Sequence, residues 1–274
     1  TNSHVTITDT TFSGTGVNHY GYPVYISHPD SLVTLSNNIF SGNYLDRVYL
    51  TIDAMNGQNI TLAPQTGLEG YMFDYWVIPS GITLTVEPGV KLMANSTLFV
   101  DGDLQAIGTA DQPIIFTSIP DSAPGEWLGL MFRGVTGHLS HTIVRYGGNN
   151  NIYAENIQTG ELLIEDSQIV DGGAVGGQRD DGIYIYNSNV IVRRSELSNL
   201  STFGYAVAVE GELSHVTLEE CRVLHNYGGL YVNTADQVTL RNVAFSDLQS
   251  YGLVVRSNGT LTGEHVTLSH IAAD

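Results

Sequence analysis

Two neighbouring carboxylates, Asp180 and Asp181, have the residue type and spacing closest to a catalytic pattern. A pair of carboxyl groups hydrolyses a glycosidic bond when one acts as general acid and the other as base or nucleophile. Here the pair lies in a glycine-rich stretch, 171–182, directly before a strand-like segment. Adjacent aspartates in such a bend usually form a solvated turn. We therefore predict no catalytic residue and keep Asp180 and Asp181 as the alternative.

Two further kinds of site have to be considered. Paired basic residues could include a catalytic base, and short acidic turns could bind calcium. Arg193 and Arg194 are adjacent, but no acidic cluster accompanies them. The segments 101–103 and 180–182 each contain two aspartates, yet neither has the ligand series of an EF-hand. We predict no metal and no cofactor, with a structural calcium at one of these segments as the alternative.

Histidine and cysteine give no sign of a metal or nucleophile site. The nine histidines show neither an HxxxH nor an HExxH pattern. His141, His215 and His265 lie near polar neighbours at strand edges, which favours a surface role. The single cysteine, Cys221, excludes an intrachain disulfide. Its position in the repeat described below predicts a buried structural thiol.

Composition and charge narrow the class of protein. The 274 residues include 30 glycines and 15 tyrosines, which suits short strands between tight bends. The formal net charge of −18 argues against nucleic acid or an anionic membrane surface as partner. No run of 18 apolar residues predicts a membrane-spanning helix, and no 3.6-residue periodicity predicts helices.

A repeated pattern organises most of the chain. It has apolar residues at positions 1 and 3, a polar corner, a small or apolar residue at 6 and an apolar one at 8. The pattern begins at Val5, Val33, Leu162, Val190, Val216, Val238 and Val266. Adjacent starts are 28, 28, 26, 22 and 28 residues apart where they can be followed. A unit of this size cannot bury its own apolar face, so we predict a stack of about eleven coils.

A second strand follows each corner and carries a tyrosine stripe. We assign it to Val24–Ile26, Val48–Leu50, Ile152–Ala154, Ile183–Ile185, Ala206–Ala208, Leu230–Val232 and Leu253–Val255. Alternation places the middle residue of each triplet outside. That residue is tyrosine in five of the seven triplets, and these are Tyr25, Tyr49, Tyr153, Tyr184 and Tyr231. The prediction is one outward aromatic stripe that binds a partner or another copy of the chain, with good strand formers as the plain explanation.

The middle of the chain departs from the plain repeat. We predict strands at 82–86, 90–93, 98–100 and 114–117, separated by turns that contain Pro or Gly. The stretches 78–92, 104–118 and 125–132 resemble the opening coils of right-handed parallel β-helix modules in large secreted bacterial and archaeal surface proteins. Those modules carry pectate-lyase-like parallel β-helix repeats. The resemblance implies an all-β, right-handed, single-stranded solenoid in an extracellular or cell-surface setting, and it implies no activity.

Two enzyme families on the same fold are less similar to this sequence. Polygalacturonases share the adjacent aspartates, but their downstream Gly-His-Gly and Arg-Ile-Lys elements are missing here. Pectate lyases use an arginine base beside calcium bound by acidic residues. Arg193 and Arg194 have no such cluster of acidic residues beside them in the sequence. The residues therefore lean away from an enzyme.

The order of the segments suggests two modules. Because the opening stretch of a module begins only near residue 63, we interpret 1–62 as the final coils of one module and 63–274 as the next. The numbering then starts inside a longer precursor. Residues 265–274 match residues 4–13 in the repeat, which predicts a period of 261 residues and ends that stack head to tail.

These observations lead to a functional prediction. We expect a structural or adhesive extracellular solenoid, with a self-assembling filament or sheath subunit as one form. The alternative is a polysaccharide-active or carbohydrate-binding β-helix. Expected partners are further copies or modules of the same chain and polysaccharide, without nucleic acid and without membrane insertion. N-glycosylation sequons occur at Asn59, Asn95, Asn199 and Asn258, and they matter only if the source glycosylates surface proteins.

Overall fold

The fold of this chain is known from a computed structural model. It describes residues 3–16, 21–27, 31–51, 58–173, 180–200, 203–235 and 237–272. Every regular element in these ranges is a β-strand, and no helix occurs among the described residues. No helix of the described chain is long and apolar enough to cross a membrane.

The strands are short and follow one another closely. The first nine are β1 (Ser3–Thr8), β2 (Thr11–Ser13), β3 (Val24–Ser27), β4 (Ser31–Ser36), β5 (Ile39–Ser41), β6 (Arg47–Thr51), β7 (Ile60–Leu62), β8 (Gly70–Phe73) and β9 (Trp76–Ile78). The next twelve are β10 (Thr83–Val86), β11 (Lys91–Ala94), β12 (Thr97–Val100), β13 (Asp103–Ile107), β14 (Ile114–Ser118), β15 (Gly129–Arg133), β16 (Gly137–Ser140), β17 (Thr142–Arg145), β18 (Asn150–Glu155), β19 (Leu162–Glu165), β20 (Gln168–Val170) and β21 (Asp181–Tyr186). The last eleven are β22 (Asn189–Arg193), β23 (Glu196–Ser198), β24 (Tyr205–Glu210), β25 (His215–Glu219), β26 (Arg222–Leu224), β27 (Gly228–Asn233), β28 (Gln237–Arg241), β29 (Ala244–Leu248), β30 (Leu253–Arg256), β31 (Leu261–Glu264) and β32 (Thr267–Ile271).

Three long parallel sheets run along the described part of the stack. Among the described residues, sheet I has nine strands, every third one from β7 to β31. Over the same residues sheet II has eleven, from β3, β6 and β8 to β32, and sheet III has eight, every third one from β9 to β30. From β7 onward each turn of the chain therefore adds one strand to each sheet. The eleven described strands of sheet II are separated by ten turns, which confirms the predicted parallel solenoid and its approximate number of coils.

Alternation along most strands of sheet I places every second residue in the core. In sheet I, Val190, Val216 and Val238 pair in register, and each is at most 2% exposed. Equivalent apolar residues thus lie directly above one another about 4.8 Å apart. The core is a continuous column that no single coil could bury by itself.

The corner between sheets I and II explains the polar positions of the repeat. The residue after each sheet I strand adopts a left-handed backbone with φ between 49° and 54° in six successive turns. These residues are His141, Asp166, Arg194, Glu220, Asn242 and His265. At two of these corners the next residue is a buried serine, Ser167 or Ser195, and its hydroxyl accepts the amide of the turn before it. Thr142 N lies 3.0 Å from Ser167 Oγ, and Ser167 N lies 3.1 Å from Ser195 Oγ. This ladder compensates a backbone conformation that is uncommon for residues other than glycine.

The first coils follow a different path from the later ones, which corrects the prediction of a single stripe. Strands β2 and β5 form a separate two-stranded sheet, while β3 and β6 continue into sheet II through β8. Among the described residues, sheet III starts only at β9. Tyr25 and Tyr49 therefore lie on sheet II, whereas Tyr153, Tyr184 and Tyr231 lie on sheet III. The short triplets look alike in sequence because both sheets place apolar residues inside at every second position.

The predicted phase at the C-terminal side is also wrong. Val238 pairs with Leu261, so the sheet I strand of the last turn is β31, and residues 267–271 belong to sheet II. The match between 265–274 and 4–13 joins strands of different sheets, so the period of 261 residues does not hold. The error arose because Leu261 is followed by Thr262 and Gly263, which leaves the strand with a single large apolar side chain.

The four predicted strands between 82 and 117 are confirmed as β10, β11, β12 and β14, whereas β13 was missed. In β24 the inward residues are Val207 and Val209, with Ala208 on the outward column, one residue out of the predicted phase. Sheet II continues from β6 to β8 across residue 62, so both predicted modules share one sheet.

Candidate functional site

Asp180 and Asp181 are part of the fold interior. They are 1% and 3% exposed. Asp180 Oδ1 accepts the amide of Phe203 at 3.2 Å, and Asp181 Oδ1 accepts the amide of Tyr205 at 2.8 Å. These bonds attach one turn to the next, and they leave neither carboxylate on a cleft surface.

Arg193 and Arg194 surround a single carboxylate on the outside of sheet I. Glu165 lies 2.7 Å from Arg193 Nη2, 2.6 Å from Arg194 Nη2 and 2.8 Å from His138 Nε2. Burial alone would raise the pKa of Glu165, but the hydrogen bonds from these three neighbours outweigh it and lower the pKa. Glu165 is thus held ionised, which is unsuited to a general acid near neutral pH.

The two carboxylates of segment 101–103 are also engaged, one in an ion pair and one in a hydrogen bond. Asp101 Oδ1 lies 2.5 Å from Nε of Arg133, and Asp103 accepts the side-chain amide of Gln105 at 2.9 Å. Among the residues that the structure describes, no group of three or more His, Cys, Asp or Glu side chains is arranged to hold a metal ion.

The tyrosines of sheet III form the outward surface of the later coils. One column of this sheet carries Phe99, Met131, Tyr153, Tyr184, Ala208 and Tyr231 in successive turns. The rings of Tyr153 and Tyr184 are 5.1 Å apart. Tyr184 donates its hydroxyl to Glu210 at 3.2 Å. The result is an outward column that is mainly aromatic, with Glu210 beside Tyr184.

The tyrosines of sheet II form a different surface, a groove. The ring of Tyr49 stacks on that of Tyr25 at 5.3 Å with an angle of 4° between planes, and on that of Tyr22 at 5.1 Å. Tyr25 is 56% exposed. Beside Tyr49, Met72 occupies the next position of the column and is buried. Three aromatic rings thus stand together next to an apolar floor.

Polar groups line the other side of this groove. Asp74 accepts the hydroxyl of Tyr49 through Oδ2 and the side-chain amide of Asn95 through Oδ1, the latter at 2.8 Å. Burial, and then the hydrogen bond to Asp74, raise the pKa of Tyr49 above its ordinary value. Its hydroxyl therefore stays protonated and donates. We call the surface formed by Tyr22, Tyr25, Tyr49, Met72, Asp74, Asn95 and Ile119 the tyrosine groove.

The loop between β14 and β15 contributes one wall of the tyrosine groove through Ile119. This loop is attached to sheet II by Asp121, which lies 2.8 Å from Lys91 and 2.6 Å from Arg145. Burial would raise the pKa of Asp121, but the hydrogen bonds from Arg145, Lys91 and Thr117 lower it. The only lysine of the chain thus fixes the loop that borders the groove.

Comparison with known proteins adds the handedness of the fold. The family model of the right-handed β-helix region matches residues 128–273, more than half of the chain. This chain belongs to the right-handed β-helix family. No curated protein and no solved structure matches it.

Sequence reasoning about this β-helix found only part of the tyrosine groove. Tyr25 and Tyr49 were predicted as outward residues, and Asn95 was noted only as a sequon. Tyr22 and Asp74 were missed, because they lie far apart in the chain and each reaches Tyr49 only when three successive turns stack. A signal was present in Asp74 and Asn95, which follow two successive sheet II strands at the same corner.

The four sequon asparagines of this β-helix are Asn59, Asn95, Asn199 and Asn258, and all are exposed. The side-chain amide of Asn95 already donates to Asp74, and that of Asn199 donates to Asp171 at 3.3 Å. Exposure satisfies one physical requirement for glycosylation, and whether any of them is glycosylated stays a prediction.

Proposed function

We propose that this β-helix is a structural and adhesive segment at an extracellular cell surface. The observation that carries the proposal is the arrangement of outward side chains in columns along three parallel sheets, with aromatic groups concentrated on two of them. Columns repeated about every 4.8 Å on a rigid stack suit an extended ligand or an extended partner.

The state of the acidic side chains supports a binding role over catalysis. The carboxylates of Asp180 and Asp181 accept backbone amides, and that of Glu165 is surrounded by cations. A hydrolase of this kind needs one carboxyl group with a raised pKa opposite another. Asp180 and Asp181 are buried, and the lowered pKa of Glu165 is the opposite of what a general acid needs.

The surface role is tested by locating the protein in its source. Antibody labelling of intact cells, with lysed cells as the reference, should detect the chain outside the cell. Purified protein should also adhere to the same cells or to their isolated walls. Detection only after lysis would contradict the proposal.

Self-assembly is the more specific form of the proposal. In the last described turn, Leu268 is 47% exposed and Val255 is 46% exposed. Both continue columns that are better covered in earlier turns, so a further turn from this chain or from another copy would cover them. Negative-stain microscopy of concentrated protein should show unbranched filaments if copies supply that cover. A monodisperse monomer would contradict self-assembly and would not bear on the adhesive role.

A polysaccharide-active or carbohydrate-binding protein is the second candidate, and the tyrosine groove favours its binding form. Assays for reducing sugars and for unsaturated uronates over acidic polysaccharides should detect no turnover. Turnover that disappears in Asp181→Asn would instead establish an enzyme, provided that circular dichroism shows the variant to be folded.

A further inference from the structure

We propose that the tyrosine groove binds uncharged glycan, by stacking of sugar rings on Tyr25 and its neighbours and by hydrogen bonds to Asp74 and Asn95. This inference rests on the adhesive part of the proposed function, and it assigns that role a site and a class of ligand.

The aromatic side of the groove supplies apolar contact. The ring of Tyr49 stacks on those of Tyr22 and Tyr25, with ring centroids 5.1 Å and 5.3 Å apart. Tyrosine combines a large apolar ring with a hydroxyl that can stay in water, so it suits a ligand with both apolar and polar faces. Sugar rings have this character, because their C–H groups and hydroxyls point in different directions.

The polar side of the groove supplies hydrogen bonds at fixed positions. The Asp74 carboxylate holds Tyr49 on one oxygen and Asn95 on the other. A carboxylate has about four acceptor positions, so two bonds leave capacity for ligand hydroxyls. Asp74 and Asn95 are exposed, and they face the ligand side of the groove rather than the core.

These polar groups also decide between a glycan and a protein partner. An apolar protein segment pressed into the groove would remove water from Asp74 and Asn95 without replacing their hydrogen bonds, which is costly. Glycan hydroxyls both donate and accept, so they replace the lost water. The groove has a volume of about 530 Å³, within the range of small-ligand sites, and so accommodates a few sugar units at most.

The negative charge of the chain and of the groove favours an uncharged glycan over an acidic one. The whole chain carries a formal −18, and Asp74 adds a negative group within the groove. The nearby cations are already paired, since Arg47 lies 2.7 Å from Glu69 and Lys91 lies 2.8 Å from Asp121. A polyuronate would therefore meet repulsion without a free cation from these pairs to offset it.

The test measures binding of the whole chain to soluble polysaccharides by affinity electrophoresis and by calorimetry. The probes are dextran, laminarin, galactomannan and xyloglucan, with polygalacturonate as the anionic comparison. We expect retardation by at least one neutral probe and none by polygalacturonate. The variants Tyr25→Ala and Asp74→Ala should each weaken binding about tenfold. Tyr25 is mostly exposed, so its replacement leaves the core intact.

Tyr251→Ala is the matched control, because it removes an exposed tyrosine (65% exposed) just before β30, outside both aromatic columns, and leaves the groove unchanged. It should bind as the unaltered chain does, and circular dichroism should show that all variants are folded. Binding to none of the neutral probes, stronger binding to polygalacturonate, or an equal loss in Tyr251→Ala would overturn the inference.

The two proposals fail in different ways. Surface labelling and cell adhesion that persist in the Tyr25→Ala/Asp74→Ala double variant would overturn the groove as the site while leaving adhesion intact. Labelling only after lysis would overturn the surface role even if the purified groove binds glycan.

Discussion

Single side chains at the corner between sheets I and II decide how successive turns are joined. Ser167 and Ser195 accept amides of neighbouring turns through their hydroxyls, and Cys221 takes the same position in the next turn. The Cys221 thiol lies 3.3 Å from the carbonyl of Val192 and is 1% exposed. Burial raises the pKa of the Cys221 thiol to about 11. The prediction of a buried structural thiol is confirmed.

We therefore expect Cys221 to be unreactive in the folded protein. A thiol reagent such as DTNB at pH 8 should label native protein many times more slowly than protein in guanidinium chloride, because only the exposed thiolate reacts. Cys221→Ser should stay folded and show no labelling in either state. Equal labelling rates in native and unfolded protein would contradict the assigned burial.

The ionised form of Glu165 is stabilised by its three neighbours, so its protonation affects stability. Its folded-state pKa is lowered from 4.5, so the unfolded chain takes up its proton first as the pH falls. The contribution of Glu165 is therefore complete above about pH 4.5 and is lost as the pH falls through the folded-state value. Arg193, Arg194 and His138 would then surround a neutral group.

We expect Glu165→Gln to lower the urea midpoint by more at pH 7 than near pH 3, relative to the unaltered chain. The reason is that protonation of Glu165, first in the unfolded chain and then in the folded one, removes the stabilising effect of the charge as the pH falls. Glu161→Gln, at an exposed position four residues earlier, serves as the control and should have little effect at either pH. A loss of the same size at both pH values would show that the side chain acts by packing and not by charge.

Sheet I carries a charge ladder, an outward position at which acidic and basic residues alternate from one strand to the next. The positions that pair across five successive turns are Glu165, Arg193, Glu219, Arg241 and Glu264. Opposite charges directly across neighbouring strands contribute roughly 0.2–1 kcal/mol per pair, and exposure to solvent keeps these values low. A slip by one turn would place like charges together, so the ladder disfavours alternative stacking.

Reversal of one charge tests the ladder. Arg241→Glu would place three acidic residues in a row, and we expect a loss of about 1 kcal/mol in the free energy of unfolding at low salt. The loss should shrink as sodium chloride is raised, because exposed charges are screened. The control is Arg256→Glu, which makes the same change in net charge on sheet III. The residue that pairs with Arg256 on the neighbouring strand is the uncharged Asn233. A loss that does not respond to salt would argue against a charge effect.

The sequence was enough to predict the repeating strands. It was not enough to predict which sheet each strand joins near the two ends of the described stack. Strands such as β25 and β28 were predictable because their alternation is strict and a polar corner follows each. The sheet to which Val24–Ile26 belongs was not, because strand pairing with β6 and β8 depends on contacts outside the segment. The same limit applies to the tyrosine groove, which needs Tyr22 and Asp74 from different turns.

The whole molecule behaves as a quasi-linear stack, in which each turn is stabilised mainly by its neighbours on either side. Sheet II shows the consequence along a single inward column that includes Leu197, Val223, Phe245 and Leu268. Leu197 is fully buried between two turns, whereas Leu268 belongs to the last described turn and is 47% exposed. Identical residue types in identical sheet positions therefore have different burial.

This difference leads to a prediction that uses the two leucines as a matched pair. Leu197→Ala should create a cavity between two turns and cost about 2–5 kcal/mol, the usual range for a buried leucine. Leu268→Ala should cost much less, because solvent already reaches its side chain and the last turn can relax. The measurement is the shift of the urea midpoint, followed by circular dichroism on dilute protein to keep copies apart. Equal shifts in the two variants would mean that Leu268 is covered in solution by another copy of the chain, and repeating the measurement over a range of protein concentrations would identify that contact, since cover by a second copy depends on concentration.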